Sequence, residues 1–144
     1  MVSQRPGVGL GVMIYNDDRL LFGLRDGAHG SESFQFPGGH LEWDEDFVGC
    51  ALRETREESG LVIRVNPTPV AVTNDFFRSD NKHYVTIFMV ADYVSGIPKV
   101  LEPKKCKGWN WYSKDSMPDR DKLFLPIQNL LSQGYELFGK RSTF

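Results

Sequence analysis

The chain of 144 residues lacks the features that several functional classes require. Its two cysteines, Cys50 and Cys106, form no CxxC pair and no zinc-type spacing, which argues against a disulfide-rich scaffold or a zinc site. Its apolar runs fall short of the roughly 20 residues that span a bilayer. The N-terminus also lacks a basic segment followed by a long apolar one. We therefore expect a soluble cytoplasmic protein that has no membrane partner.

An excess of positive charge is also absent. The chain carries 17 basic and 19 acidic residues, which gives a formal net charge of -2. It therefore has no overall positive field for duplex nucleic acid, although a small anionic ligand held by a metal is compatible with this charge. Hydrophobic residues make up 40%, enough for one ordinary core. We expect a single domain over residues 1–144.

Short β-rich segments and two helical segments alternate along the chain, which predicts a mixed sheet covered by helices. The first helix spans about 45–59, with Asp44 as N-cap and Gly60 as the residue that ends it. The second spans about 126–133, with Pro126 at its first position. A polar loop is expected at 26–33. Strands are expected at 8–15, 19–24, 61–65, 70–77, 83–94 and 109–112, with a short extended piece at 34–36.

The first predicted helix ends in three carboxylates that stability alone would not favour. Glu54, Glu57 and Glu58 lie in its last turns, where like charges four residues apart repel and negative charge opposes the helix dipole. On a helical wheel Glu54 and Glu58 lie about 40° apart, at the edge of the apolar face. A divalent cation between these carboxylates is the simplest physical reason to keep them together. A plain solvated charged face is the alternative.

The residues from Gly39 to Leu61 follow the spacing G-x5-E-x7-R-E-x-x-E-E-x-G-L. This pattern resembles the Nudix box, the signature of the Nudix hydrolase family. Thr55 stands where the family usually has an aliphatic residue, and its methyl group can face the core instead. A chance match of seven fixed residues has odds of about one in a million. The segments GSESFQFPGGHLEW and HYVTIFMV are similar to the MutT-like branch that hydrolyses nucleoside triphosphates.

That resemblance implies an α/β/α Nudix sandwich that forms a homodimer and cleaves a nucleoside triphosphate to monophosphate and pyrophosphate. The cofactor is expected to be Mg²⁺, with Mn²⁺ as an alternative, since hard cations prefer oxygen ligands. Glu54, Glu57 and Glu58 are the expected metal ligands and catalytic carboxylates, with a backbone carbonyl at Gly38 completing the shell. Glu54 is the best candidate to orient or deprotonate the attacking water.

Two further residues of the box are expected to support these carboxylates. Arg53 is assigned to the catalytic group because it can fix the glycine loop or orient a glutamate. Glu45 lies on the opposite side of the helix from the cluster, so a dipole or loop-bracing role is favoured over metal ligation.

The resemblance also indicates a substrate cleft made of scattered residues. Phe124 and Leu125 match positions that shape a nucleobase pocket, while Arg25 matches a phosphate-binding or loop-bracing position. The expected substrate-binding residues are Arg25, Gln35, Gly39, His40, Thr86, Phe124 and Leu125.

The segment LEPKKCKGWNWY leaves one assignment open. Relatives tend to have acidic residues there, and one of them can add a metal ligand. Glu102 is present, but Lys104 and Lys107 replace acids, so the sequence does not decide whether this loop contributes a ligand.

The leading function is therefore hydrolysis of dGTP or 8-oxo-dGTP in nucleotide-pool sanitation. One rival is a Nudix hydrolase of another diphosphate, such as a prenyl diphosphate, a nucleotide sugar or an mRNA cap. Another is a catalytically silent Nudix domain that binds a nucleotide or a protein. Silent members usually lose glutamates of the Nudix box, whereas this chain has all of these glutamates.

Overall fold

A computed structural model of the chain describes residues 4–26 and 32–141. Most of the predicted loop at 26–33 lies outside these ranges. In the described part, no helix is long and apolar enough to cross a membrane. The strands are β1 (Gly7–Asn16), β2 (Arg19–Asp26), β3 (Glu32–Gln35), β4 (Gly38–His40), β5 (Val62–Val65), β6 (Ala71–Phe77), β7 (Lys82–Ser95) and β8 (Gly108–Tyr112). The α-helices are α1 (Phe47–Ser59) and α2 (Leu125–Ser132), and short 3-10 turns lie at Arg78–Asp80 and Arg120–Lys122.

The strands form one mixed sheet with β1 near its centre. β1 pairs in parallel with β7, from Gly7 opposite Tyr84 to Tyr15 opposite Asp92. The order along the main path is β3-β2-β1-β7-β5, while β4 pairs with β1, β6 with β7 and β8 with β2. This pairing places β4 across the glycine-rich first half of β1.

Each face of the sheet buries its own apolar cluster. Along β1, Val12 and Ile14 belong to one cluster, whereas Met13 and Tyr15 belong to the other, as the two-residue period of a strand requires. The first cluster packs against α1 through Cys50 and Ala51. The second includes Ile127 and Leu130 of α2. The predicted α/β/α sandwich is therefore confirmed.

Helix α1 begins two residues later than predicted, and Asp46 rather than Asp44 is its N-cap. The Asp46 carboxylate accepts a hydrogen bond from the Gly49 amide at 2.7 Å. Asp44 has a φ of 62°, so it lies in a left-handed turn before the helix. The helix ends as predicted, because Gly60 has a φ of 76° and its N–H bonds to the Arg56 carbonyl.

Helix α2 begins at Leu125, one residue before the predicted start. The prediction missed β4, which lies in what the sequence presents as a glycine turn. Glycine is depleted in strands, so a Gly-Gly pair predicts a loop. Here a Cβ on Gly38 would overlap the carbonyl oxygen of Leu10 and lie 3.2 Å from the Cα of Gly11. Close approach of β4 to β1 therefore requires glycine at this position.

Candidate active site

The last turns of α1 bury two of the three clustered glutamates. Glu54 is 7% exposed and Glu58 is 4% exposed, whereas the Glu57 side chain is 51% exposed. The sequence prediction placed Glu54 and Glu58 at the edge of the apolar stripe, but they lie within the buried face of the helix. Thr55 is fully buried beside them, as predicted. The two carboxylates therefore face the interior of the protein, not bulk water.

A glycine pair brings backbone into contact with these carboxylates. The Gly38 N–H donates a hydrogen bond of 2.8 Å to Oε1 of Glu58. At Gly39, a Cβ would lie only 2.5 Å from Oε1 of Glu54. Because neither position has room for a side chain, β4 can lie directly against the buried end of α1.

Arg53 is the centre of the hydrogen bonds around this end of α1. Its Nε and Nη2 donate to both oxygens of Glu45, at 2.7 and 3.0 Å. Its Nη1 donates to Glu54 at 2.8 Å and to Glu57 at 3.3 Å. Nη2 also donates to the His40 carbonyl at 3.2 Å. One guanidinium thus ties the β4 loop, the start of α1 and two clustered glutamates together, and Glu45 occupies a bracing position.

The protein environment gives these carboxylates different proton affinities. The hydrogen bond from Arg53 lowers the pKa of Glu45 to about 2. Burial raises the pKa of Glu58 to about 8, against the hydrogen bond from Gly38 and together with the nearby charges of Glu54 and Glu102. Burial likewise raises the pKa of Glu54, while Arg53 opposes that rise. The buried pair therefore favours a positive counter-charge, either a proton or a cation.

The donor set at this end of α1 fits a hard divalent cation. Besides the two buried glutamates, Oε1 of Glu102 is buried and has no hydrogen-bond partner in the described part of the chain. Its other oxygen lies 3.5 Å from Nζ of Lys105, whereas Lys107 pairs with Asp26. Within residues 4–26 and 32–141, no three His, Cys, Asp or Glu side chains already form a closed cluster. Mg²⁺ does not require such a cluster, because it joins one or two carboxylates to waters and substrate phosphates.

A cleft of about 460 Å³ opens on the glycine pair. It lies between the β1, β4 and β7 segments on one side and the start of α2 on the other. All seven residues that the sequence assigns to substrate binding line this cleft, and Gly38 lines it as well. They are Arg25, Gln35, Gly39, His40, Thr86, Phe124 and Leu125. The fold therefore brings residues that are far apart in sequence to one place, next to the buried glutamates.

Sequence comparison with known families gives a match to the NUDIX domain over residues 5–131. This chain belongs to the NUDIX domain family. Its relatives include the RNA pyrophosphohydrolase of Zymomonas mobilis, which is 25% identical over 126 residues, covering 77% of this chain and 81% of the relative. The oxidized purine nucleoside triphosphate hydrolase of Mus musculus is 28% identical over 110 residues, covering 76% and 68%.

A solved structure supports the same assignment. The MutT NUDIX hydrolase from Burkholderia pseudomallei superposes with a TM-score of 0.72 at 28% identity, covering 91% of this chain and 98% of that one. The family membership supports a hydrolase activity that uses a divalent metal. The relatives named above carry different substrates in their names, so membership by itself does not select one.

Arg25 and Phe124 form one wall of the cleft in this Nudix domain. The guanidinium carbon of Arg25 lies 4.1 Å from the centre of the Phe124 ring, and Nη1 donates to Gln35 at 3.4 Å. Burial lowers the pKa of Arg25. Phe77 packs against Phe124 with ring centres 5.4 Å apart. The wall is thus largely aromatic, with one positive charge held against it.

Thr86 lies at the floor of the cleft, where its hydroxyl is already engaged. It donates a hydrogen bond of 2.5 Å to Oδ2 of Asp75, and this oxygen also accepts a hydrogen bond of 3.1 Å from the Thr73 hydroxyl. Nδ2 of Asn129 donates to the other oxygen of Asp75 at 2.9 Å. Asp75 is 0% exposed. This network joins β6, β7 and α2, so Thr86 shapes the floor through Asp75.

Sequence reasoning missed several residues of this Nudix cleft, among them Phe77, Lys82 and Tyr84. A signal for two of them was present. Lys82, Tyr84 and Thr86 alternate along β7 and therefore share one face of the strand. Asp75 was missed too, although Thr73 lies two residues before it on the same face of β6. Nothing in the local sequence links either position to Asn129, because only the packing of α2 brings that amide close.

Proposed function

We propose that this protein hydrolyses a nucleoside triphosphate of the dGTP or 8-oxo-dGTP type to monophosphate and pyrophosphate, in nucleotide-pool sanitation. The proposal rests on the Gly38–Gly39 pair, where the buried carboxylate end of α1 meets the cleft. Gly38 and Gly39 touch the buried glutamates of α1 and also line the aromatic cleft. A nucleoside in the cleft would therefore have its phosphates beside the carboxylates.

The glutamates would hold the metal and the attacking water. A bound Mg²⁺ supplies charge neutralisation and polarisation of the phosphoryl group. Glu58 and Glu54 are the proposed ligands, with the more exposed Glu57 as a third. Glu54 is also our candidate to take the proton of water. Arg53 acts by positioning, because it binds Glu54, Glu57 and the His40 carbonyl without facing the cleft as a lining residue.

The cleft supports a planar ligand with a polar edge. The Phe124 and Phe77 rings provide apolar surface, and Gln35 provides an amide that can donate and accept. Arg25 is positively charged and lies at the same wall, so it suits a phosphate or a carbonyl edge. The mouse relative, whose name states oxidized purine nucleoside triphosphates, supports a nucleotide of this kind.

Another diphosphate-containing substrate is the second candidate. The Zymomonas relative is called an RNA pyrophosphohydrolase, so a relative of this chain is named for a different substrate. The cleft residues are of ordinary type, and they do not by themselves reject a larger ligand. The two candidates predict different rankings of kcat/KM across a substrate panel.

The test is a panel of substrates with Mg²⁺ present. dGTP, 8-oxo-dGTP, the other dNTPs, capped RNA and prenyl diphosphates are incubated with the protein, and the products are separated by anion exchange. We expect dGTP or 8-oxo-dGTP to have the highest kcat/KM, with pyrophosphate as a product. A protein that turns over none of the panel is not the proposed enzyme, and orthophosphate in place of pyrophosphate would exclude the proposed bond.

A double variant tests the glutamate assignment. Glu57→Gln with Glu58→Gln removes two carboxylates but preserves side-chain size, and it should abolish turnover while the fold is retained or stabilised. Glu136→Gln is the matched control, because it removes an exposed carboxylate in the segment after α2. Wild-type turnover in the double variant would refute the metal-site assignment.

A further inference from the structure

The loop between β7 and β8 carries a positive charge to the buried carboxylates. This loop is fixed to the end of α1, because the Glu58 carbonyl accepts hydrogen bonds from the Leu101 amide at 3.4 Å and from the Trp109 indole at 3.2 Å. Within the loop, the Lys105 amide donates to the Glu102 carbonyl at 2.9 Å. The resulting turn brings the charges of Glu102 and Lys105 within reach of the Glu58 carboxylate.

The Lys105 ammonium acts on all the carboxylates at this end of α1 that are buried or partly buried. Its Nζ lies 3.5 Å from Oε2 of Glu102. Burial raises the pKa of Glu58, and the charge of Lys105 opposes part of that rise. Burial also raises the pKa of Glu54, where Arg53 and then Lys105 oppose it. One ammonium therefore supplies part of the positive charge that three carboxylates require when no metal is bound.

The two oxygens of the Glu102 carboxylate have different surroundings. Oε2 pairs with Lys105, whereas Oε1 is buried and has no hydrogen-bond partner within residues 4–26 and 32–141. Burial raises the pKa of Glu58 most, and the negative charges of Glu54 and Glu102 raise it further. The group of carboxylates therefore still favours additional positive charge with Lys105 in place, so a divalent cation can compete with the lysine.

Lys105 can leave this group at a lower cost than Arg53. The Lys105 side chain is 64% exposed, whereas that of Arg53 is 28% exposed and donates two hydrogen bonds to Glu45. A lysine ammonium is a compact, strongly hydrated charge on a flexible stem. An exposed pair such as that with Glu102 contributes little to stability. A cation that arrives at the carboxylates can therefore return the ammonium to water without burying it.

We propose that Lys105 is a built-in counter-cation that competes with the divalent metal for the buried carboxylates. Without metal it stabilises their negative charges, and metal binding displaces it. The affinity for a divalent cation is thereby lower than the carboxylates alone would give. This inference deepens the proposed function and rests on its placement of the metal at Glu54 and Glu58.

Mn²⁺ binding tests the competition without turnover. Free Mn²⁺ is measured by electron paramagnetic resonance in the absence of nucleotide, since Mn²⁺ takes the same oxygen ligands as Mg²⁺. Lys105→Met removes the charge and keeps a long, unbranched side chain. We expect this variant to bind Mn²⁺ about fivefold more tightly than the wild type, which is the upper range for the loss of an exposed pair.

Lys104→Met is the matched control, because it removes the same charge from the neighbouring exposed side chain. Its Kd for Mn²⁺ should differ from that of the wild type by less than about twofold. Glu102→Gln tests whether Glu102 holds the ammonium in place. In the Glu102→Gln background, Lys105→Met should change the Kd by less than about twofold, because the two effects are coupled.

Thermal unfolding distinguishes a counter-cation from a lysine that only supports the fold. In EDTA, Lys105→Met should lower the Tm by about 2 °C, because the carboxylates lose a counter-charge. Saturating Mn²⁺ should remove this difference, since the metal replaces the lysine in either protein. An equal loss of Tm with and without Mn²⁺ would overturn the proposal.

The binding data can overturn it as well. They do so if Lys105→Met binds Mn²⁺ no more tightly than the wild type, if Lys104→Met gives the same gain, or if the gain persists in full in the Glu102→Gln background. Turnover of the substrate panel with Mg²⁺ is measured in parallel. Absence of turnover would contradict the proposed function, whereas the ratio of the Mn²⁺ dissociation constants still decides the role of Lys105.

Discussion

The buried carboxylate end of α1 and the aromatic cleft meet at the Gly38–Gly39 pair, but the chain assembles them differently. The carboxylate end comes from one helix and the loop before it, so Arg53, Glu54 and Glu58 are neighbours in sequence as well as in space. The cleft combines β2, β7 and the start of α2, so Arg25 and Phe124 are in contact across 99 positions of the chain. One region is local and the other is made entirely by tertiary packing.

The two regions also differ electrostatically. Burial raises the pKa of Glu54 and Glu58, so this end of α1 favours a cation. The Phe124 wall of the cleft is aromatic and carries the Arg25 guanidinium, while Asp80 and Lys82 also line the cleft. The chemistry and the choice of substrate should therefore be separable by mutation. Changes at the carboxylates should alter kcat and changes in the cleft should alter KM, whereas changes at Gly38 should affect folding and changes at Gly39 should affect kcat.

Gly38→Ala should have the largest effect, because Gly38 belongs to both regions. Its Cβ would overlap backbone atoms of β1, which cannot move aside as a side chain can. We expect the free energy of unfolding to fall by about 3 kcal/mol, measured by urea denaturation. Gly108→Ala is the control, because no heavy atom lies within 4 Å of its added Cβ. Equal stability of the Gly38 variant and the wild type would mean that β4 does not approach β1 so closely.

Gly39→Ala should separate chemistry from folding. Its Cβ would lie 2.5 Å from Oε1 of Glu54, which is the far end of a side chain and not backbone, so the fold can adapt by displacing that carboxylate. We expect kcat to fall about 100-fold, since small misplacements of reacting groups have such effects. The Tm should change little. A rise in KM at constant kcat would show that Gly39 serves the cleft instead.

Asp75→Ala should destabilise the floor of the cleft, because it removes the carboxylate that accepts hydrogen bonds beneath this floor. Thr73, Thr86 and Asn129 would each lose a buried hydrogen-bond partner. We expect a loss of about 2 kcal/mol in the free energy of unfolding and a higher KM at similar kcat. Asp92→Ala is the control, because Asp92 forms an exposed pair with Arg64, and such a pair contributes about 0.5 kcal/mol. A fall in kcat alone would contradict the proposed separation.

Glu58→Gln should have the smallest effect, a pH-dependent gain in stability without metal. Burial raises the Glu58 pKa from 4.5 to about 8, so the folded state retains a proton that the unfolded state has lost. Wild-type stability from this group therefore falls as pH rises from about 5 to about 8. Glutamine keeps an acceptor for Gly38 and does not ionise. The Tm advantage of the variant, measured in EDTA, should reach a few degrees near pH 8 and shrink near pH 5.

Glu57→Gln provides the comparison for that experiment, because the Glu57 side chain is half exposed. Its Tm advantage should be smaller and should vary less with pH. If both variants gain equally, then repulsion among the glutamates, rather than burial of Glu58, explains the stabilisation.

Sequence reasoning predicted correctly the features that depend only on the helical period or on a fixed residue spacing. The end of α1 at Gly60 follows from glycine's tolerance of a positive φ, which the structure confirms. It failed at the start of α1, because Asp44 and Asp46 are equally good caps and only the turn that brings Glu45 to Arg53 selects between them. It also failed at β4, because pairing with β1 overrides the low strand propensity of glycine.

The spacing of Glu45, Arg53, Glu54, Glu57 and Glu58 was enough to place this chain in its family and to indicate a metal site, because helix geometry converts spacing directly into position. Only the tertiary structure decided how deeply Glu54 and Glu58 are buried, and hence that their pKa values are raised. Tertiary structure alone also created the cleft and the Asp75 network. Their residues meet through strand register and helix packing, which no local pattern in the sequence specifies.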